Sequence, residues 1–169
     1  GHAYSALTAA EAAGGGRFLL RIEDIDRGRC RPEFEAAILE DLAWLGLRWE
    51  PPVRRQSEHF QEYAGALDRL RDQKLIYPCF CTRADIQREI KAADAAPHGP
   101  DGPVYPGTCR HVSDAERTTR IAAGTPFAWR LDMAAAMKVA GPLSWHDDHA
   151  GEQRATPDIF GDVVLARKD

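Results

Sequence analysis

A chain of 169 residues, 44% of them hydrophobic, is long enough for one large domain or for a domain carrying a subdomain around a sizeable core. The charged share of 28% and the net charge of −4 exclude a protein that coats nucleic acid by bulk positive charge, and leave room only for a local basic patch. No apolar run approaches membrane-spanning length and no basic-then-apolar leader is present, so no membrane association is expected.

Gly1-His2 leads directly, without an initiator Met, into the small-residue stretch 3–13, which is predicted as a helix. Gly14, Gly15 and Gly16 end it; they lack the lysine and hydroxyl residue of a phosphate loop. Arg17–Ile22 reads as an apolar strand running into Glu23, Asp24 and Asp26. Pro32 opens a helix with Phe34, Ile38, Leu42 and Leu45 at helical spacing, and Gly46 closes it. Leu47–Glu50 reads as a short strand that Pro51-Pro52 breaks. Ser57 is expected to cap the next helix, with Phe60, Ala64, Leu67 and Leu70 as its buried face. Residues 1–77 thus alternate helix and strand, which predicts an α/β fold with a parallel sheet and helical crossovers.

The character changes at Pro78. Thr82 with Asp85 resembles a capping box for a helix to about Ala93, and Ser113 with Glu116 opens another. Between them, Pro97–Pro103 reads as a mobile loop. Phe127–Asp132 alternates like a strand, and Asp162–Asp169 reads as a strand cut off as it finishes. Residues 78–159 are expected to form an inserted subdomain. Both ends look like interruptions, which predicts a fragment of a longer protein.

Three of the four cysteines carry the most chemical information. Cys79 and Cys81 sit in Tyr77-Pro-Cys-Phe-Cys-Thr, and Cys109 follows after 27 intervening residues in Tyr105-Pro-Gly-Thr-Cys-Arg-His. Divalent zinc takes four soft or borderline ligands in a tetrahedron. A Cys-x-Cys pair at a strand end supplies two, and a distant turn supplies the others, with Tyr105 or His111 beside Cys109 as the fourth. Buried free thiols are the structural alternative, and an extended Cys-x-Cys suits a disulfide poorly. Cys30 reads as a free thiol. Few, clustered cysteines fit a reducing cytoplasm.

Carboxylates at the carboxyl end of a parallel strand lie where α/β sheets bind ligands. Adjacent strand residues face opposite ways, so Glu23 and Asp24 cannot share one role. At most one faces a site; the other is expected to cap, or to pair with Arg27 or Arg29.

Together these segments resemble a family. Gly1-His2 before a small-residue helix is similar to the second half of the His-x-Gly-His signature of class I aminoacyl-tRNA synthetases. Leu20–Asp26, Tyr77–Arg83, Tyr105–Arg110 and Gly161–Arg167 follow in the order of the glutamyl group, and the resemblance covers nearly the whole chain. It is strongest to the short paralogues of glutamyl-tRNA synthetase, the glutamyl-Q tRNA(Asp) synthetases. It implies a Rossmann-like catalytic sheet from residues 1–77 and 160–169, with 78–159 as a zinc-binding insertion.

The resemblance also implies roles. His2, with Gly1, would meet the ATP phosphates at a helix N-terminus, where unpaired backbone N–H groups favour anions, and would stabilise the charge growing on the α-phosphate. Glu23 would hold the ammonium group of glutamate. Tyr105 would complete the zinc site of Cys79, Cys81 and Cys109, with His111 in reserve. Arg29 matches a family arginine without an assigned role. ATP with Mg2+, glutamate and tRNA(Asp) carrying queuosine are the implied partners of a monomeric ligase that activates glutamate without tRNA. An ordinary glutamyl-tRNA synthetase charging tRNA(Glu), or a non-catalytic zinc module that binds RNA or protein, are the alternatives. In the family, the first signature histidine lies upstream, and the lysine loop and side-chain pocket lie downstream. The isolated 169-residue piece is therefore expected to be inactive.

Overall fold

The computed structural model describes residues 2–12, 14–92, 98–100 and 102–168, with the side chains of residues 2–4, 92 and 98 outside that description. Among the described residues it is an α/β protein of two compact units, Gly1–Gly65 and Ala66–Asp169. No helix among them is long and apolar enough to cross a membrane.

The first unit opens with α1 (His2–Ala12), which ends before the glycine triplet; the Gly16 N–H closes onto the Ala10 carbonyl at 3.0 Å. Strand β1 (Leu19–Ile22) follows, then α2 (Pro32–Trp44), whose proline sits in the first turn with Glu33 and Glu35 beside it. There the fixed φ of proline and the acids both suit a helix N-terminus. Phe34, Ile38 and Leu45 recur at helical spacing as expected, yet all three are exposed, while Leu39 and Leu42 are half-buried. Strand β2 (Glu50–Arg55) pairs parallel with β1. Pro51-Pro52 does not break the strand as the sequence suggested, because the ladder jumps from Leu19–Glu50 to Arg21–Arg54. The prolines fall in that irregularity, where no donor is needed. Arg55 fastens β2 to α2 by a fork onto Glu35, with Nε to Oε1 at 2.9 Å and Nη2 to Oε1 at 2.5 Å.

Helix α3 (Phe60–Asp72) has its half-buried side at Tyr63, Ala66, Leu67 and Leu70, whereas Phe60 and Ala64 are exposed. Ser57 does not cap it. Ser57 lies in the preceding 3-10 turn Gln56–Glu58, and its backbone N–H and hydroxyl both bond to Asp24, at 2.9 and 2.5 Å.

The second unit is built on a three-stranded antiparallel sheet in the order β3 (Ile76–Cys79), β6 (Ala128–Leu131), β9 (Val164–Ala166). Ile76 pairs with Leu131, Cys79 with Ala128 and Trp129 with Ala166. Helix α4 (Arg83–Ala92) carries the expected capping box: the Thr82 N–H meets Asp85 at 2.8 Å and the Asp85 N–H meets the Thr82 hydroxyl at 3.1 Å. Two short strands paired antiparallel, β4 (His98–Gly99) and β5 (Gly102–Pro103), stand where a mobile loop was expected; Pro97 and Asp101 of that loop lie outside the described residues. Helix α5 (Asp114–Ala122) starts on Ser113, whose hydroxyl accepts from the Glu116 N–H at 3.2 Å. Helix α6 (Met133–Ala140) starts on Asp132 in the same way. The hairpin β7 (Ser144–Asp147) and β8 (Gly151–Arg154) precedes a 3-10 turn, Pro157–Phe160, that leads into β9.

Candidate functional site

β3 delivers Cys79 in its last position, fully buried, and two residues later the chain turns out with Cys81 half-buried. The 3-10 turn Thr108–His111 brings Cys109 back against them. The three sulfurs lie within 4.8 Å of one another. Cys81 and Cys109 are 3.3 Å apart, and the Tyr105 hydroxyl stands 3.4 Å from Cys79 Sγ and 3.6 Å from Cys81 Sγ. Tetrahedral zinc with sulfur ligands at ~2.3 Å has S···S edges of about 3.8 Å and somewhat shorter S···O edges. The four donor atoms therefore fit one small cation with little adjustment, and the soft thiol set suits zinc. His111 is exposed and contributes no atom to the group, so the geometry favours Tyr105 over the reserve ligand.

Burial sets the electrostatics here. It pushes the Cys81 thiol up to about 12, more strongly than the Tyr105 hydroxyl pulls it down. Tyr105 is also raised, by burial first and then by the hydrogen bond from Cys79. At Cys109 burial again acts upward, but bonds from the Tyr105 hydroxyl and from backbone and side chain of residues 80 and 81 outweigh it, and the thiol is lowered. A divalent cation reverses the preference for neutral thiols, because a coordinating thiol is deprotonated. The Tyr105 oxygen already accepts from the Cys109 N–H at 3.0 Å, which aims it at the sulfurs.

The surroundings hold this arrangement. Tyr77, Cys79, Tyr105 and Cys109 form one buried cluster, with Phe80, Ile86 and Val112 packed against it. Lys168 Nζ, just past β9, donates to the Phe80 and Cys81 carbonyls at 3.1 and 2.9 Å. Gly107 takes φ 84°, and a Cβ there would meet the Arg110 guanidinium at 3.2 Å. That glycine lets the turn after Tyr105 fold back.

Asp162 is the residue that sequence reasoning passed over. It is 2% exposed, and its carboxylate accepts from the Tyr77 hydroxyl at 2.5 Å, Arg110 Nε at 2.9 Å, Arg110 Nη2 at 2.5 Å and the Met133 N–H at 3.0 Å. It stands beside Gly161, whose φ of 61° and approach to Val104 leave no room for a Cβ. The signal was present in Gly161-Asp162, but an acid in a loop usually belongs to the surface.

The catalytic-side candidates lie in the first unit. Glu23, past the end of β1, is exposed and accepts from Arg21 Nη2 at 2.7 Å. Asp24 faces the other way and takes Ser57 rather than Arg27 or Arg29 as its partner; Asp26 takes Arg29, at 2.7 Å. The Ser57 hydroxyl and N–H together hold Asp24 below the usual carboxylate range. α1 begins at His2, while Gly1 and the His2 side chain lie outside the described residues. Cys30 is a free, exposed thiol.

Comparison with known proteins gives a consistent result. A model of the catalytic domain of class I tRNA synthetases (E and Q) matches residues 1–169. The chain is 44% identical to the glutamyl-Q tRNA(Asp) synthetase of Rhodobacter capsulatus, covering 100% of this chain and 62% of that protein. It is 51% identical to the Nocardia farcinica protein of the same name over 70% of this chain and 36% of the relative. A glutamate–tRNA ligase of Hydrogenobaculum is 38% identical over 91% of this chain and 32% of its own length. The chain thus spans 62% or less of each of these relatives. Among solved structures, the glutamate–tRNA synthetase of Elizabethkingia anophelis superposes with a TM-score of 0.68 at 23% identity, over 99% of this chain and 35% of that one, which shows a shared fold.

Proposed function

Because the chain belongs to the catalytic-domain family of class I tRNA synthetases (E and Q), we propose that it is the part of a glutamyl-Q tRNA(Asp) synthetase that binds and activates glutamate. The observation that carries this reading is the 44% identity to a relative of that name across the whole chain. Relatives named glutamate–tRNA ligases, at 38% identity, support charging of tRNA(Glu) as the second reading.

In the proposed reaction, the glutamate carboxylate attacks the α-phosphate of ATP and expels pyrophosphate. The glutamyl group then passes from the adenylate to queuosine at the wobble position of tRNA(Asp), releasing AMP. Glu23 holds the substrate ammonium, and its hydrogen bond to Arg21 orients it for that contact. Gly1 and His2 meet the phosphates at the start of α1, and Mg2+ accompanies ATP. Cys79, Cys81, Cys109 and Tyr105 hold zinc, whose chemistry here is structural: with four protein donors no open position remains for a substrate.

In this reading residues 1–77 and 160–169 belong to the catalytic domain and 78–159 to the insertion. A monomer in the cytoplasm completes the proposal.

Charging of purified tRNA(Asp), with and without queuosine, by the full-length protein is the direct test. Glutamylation only of the queuosine-bearing form is expected. Transfer to tRNA(Glu), or transfer indifferent to queuosine, would favour the ordinary synthetase.

A further inference from the structure

Among the described residues, Arg130 has no carboxylate of its own. Its guanidinium carbon stands 3.9 Å from the centroid of the Tyr105 ring, and its Nη1 donates to the Asp162 backbone carbonyl at 2.6 Å. Its Nε is buried without a hydrogen-bond partner. The Asp162 carboxylate is engaged by Arg110, at 2.5 Å, and among the described residues no other acid reaches Arg130. A half-buried guanidinium without a counter-charge is costly, and an unmade hydrogen bond adds to that cost. An anion facing it would offset that cost.

We propose that Arg130 is the counter-charge of the Cys79–Cys81–Cys109 metal centre and the residue that positions Tyr105 in it. Three thiolates on a divalent cation leave net negative charge. Arg130 meets that charge through the face of the Tyr105 ring, where a planar guanidinium stacks and an ammonium cannot. The same contact fixes the ring plane, so the hydroxyl keeps its aim at Cys79 and Cys81. Arg117 cannot substitute: its Nη1 pairs with Asp114 at 3.1 Å and its Nη2 is spent on the carbonyls of Cys109 and Arg110, at 3.3 and 2.7 Å. Arg130 is well placed to hold position, since β6 is the central strand and pairs it with Tyr77 on one side and Val164 on the other.

The inference rests on the zinc reading of the cluster and not on glutamyl transfer, so its test reads metal affinity. Zinc-loaded full-length protein, R130K and R130Q are competed against a chromogenic chelator, and the cobalt-substituted forms are compared by visible absorption. R130Q is expected to lose affinity about 10- to 100-fold, the range for partners of metal ligands, and to shift the cobalt bands as the oxygen donor moves. R130K keeps the charge but not the stack, and should lose about three- to tenfold. If R130Q does not fold, R130K decides. Affinity within twofold of wild type together with an unchanged cobalt spectrum, in whichever variant folds, overturns the proposal. A wild-type protein that takes up no zinc overturns it together with the metal reading.

Discussion

Tyr77 and Asp162, 85 positions apart, meet through a 2.5 Å hydrogen bond that ties β3 to the turn entering β9. Asp162 also gathers Arg110 and the first N–H of α6, so one buried carboxylate fastens the metal-side turn, the sheet and a helix start. Burial first, then this bond, raises Tyr77, which keeps its hydroxyl a proton donor at any ordinary pH.

Asp162→Ala should therefore cost about 2–4 kcal/mol in urea unfolding, because it strands the Arg110 charge and the Met133 N–H. The figure is set below the fully buried range since the Arg110 side chain is 33% exposed. Tyr77→Phe removes one donor and should cost about 1 kcal/mol. Equal effects of the two variants would contradict the hub role.

The full-length protein should purify with zinc, and Cys109→Ser should lose it, as read by elemental analysis. Tyr105→Phe should weaken retention while His111→Ala leaves it unchanged, given the exposure of His111. Removing the metal should lower the melting temperature, because the cation binds the folded state far better than the unfolded one.

In the full-length protein, Glu23→Gln should raise the KM for glutamate about 10- to 100-fold in ATP–pyrophosphate exchange, the loss expected for one charge-assisted hydrogen bond, with the KM for ATP nearly unchanged. A KM for glutamate that stays put would remove Glu23 from the ammonium site.

Asp24 gives the first unit a pH dependence of known sign. Its folded pKa is depressed by Ser57, so its contribution to stability is complete above the unfolded value near 3.8 and is lost as pH falls through the lower folded value. Ser57→Ala should reduce stability at pH 7, and the gap from wild type should close below about pH 4. A gap that persists in acid, in urea midpoints followed from pH 7 to pH 2.5, would assign the effect to packing instead.

The sequence was most legible where local chemistry decides. The Thr82/Asp85 and Ser113/Glu116 starts, the stop at Gly14 and the meeting of three cysteines all appear where their residues predicted. What escaped was decided at long range. Ser57 looks like a helix cap until Asp24 arrives from another strand end. Pro51-Pro52 looks like a break until β1 pairs around it. Asp162 looks like a surface acid until Tyr77 and Arg110 close over it. In these three cases the deciding partner lies more than 30 positions away, beyond any local pattern.

The order β3–β6–β9 carries a consequence for how such a chain can change. The polypeptide leaves along one edge of the sheet and returns along the other, with a single strand between them. Adjacent strands lie ~4.8 Å apart, so departure and return are held at about 10 Å by β6 alone. Whatever is spliced in between, or trimmed away, hangs from a spacer of constant width. The two flanking strands need not register its length.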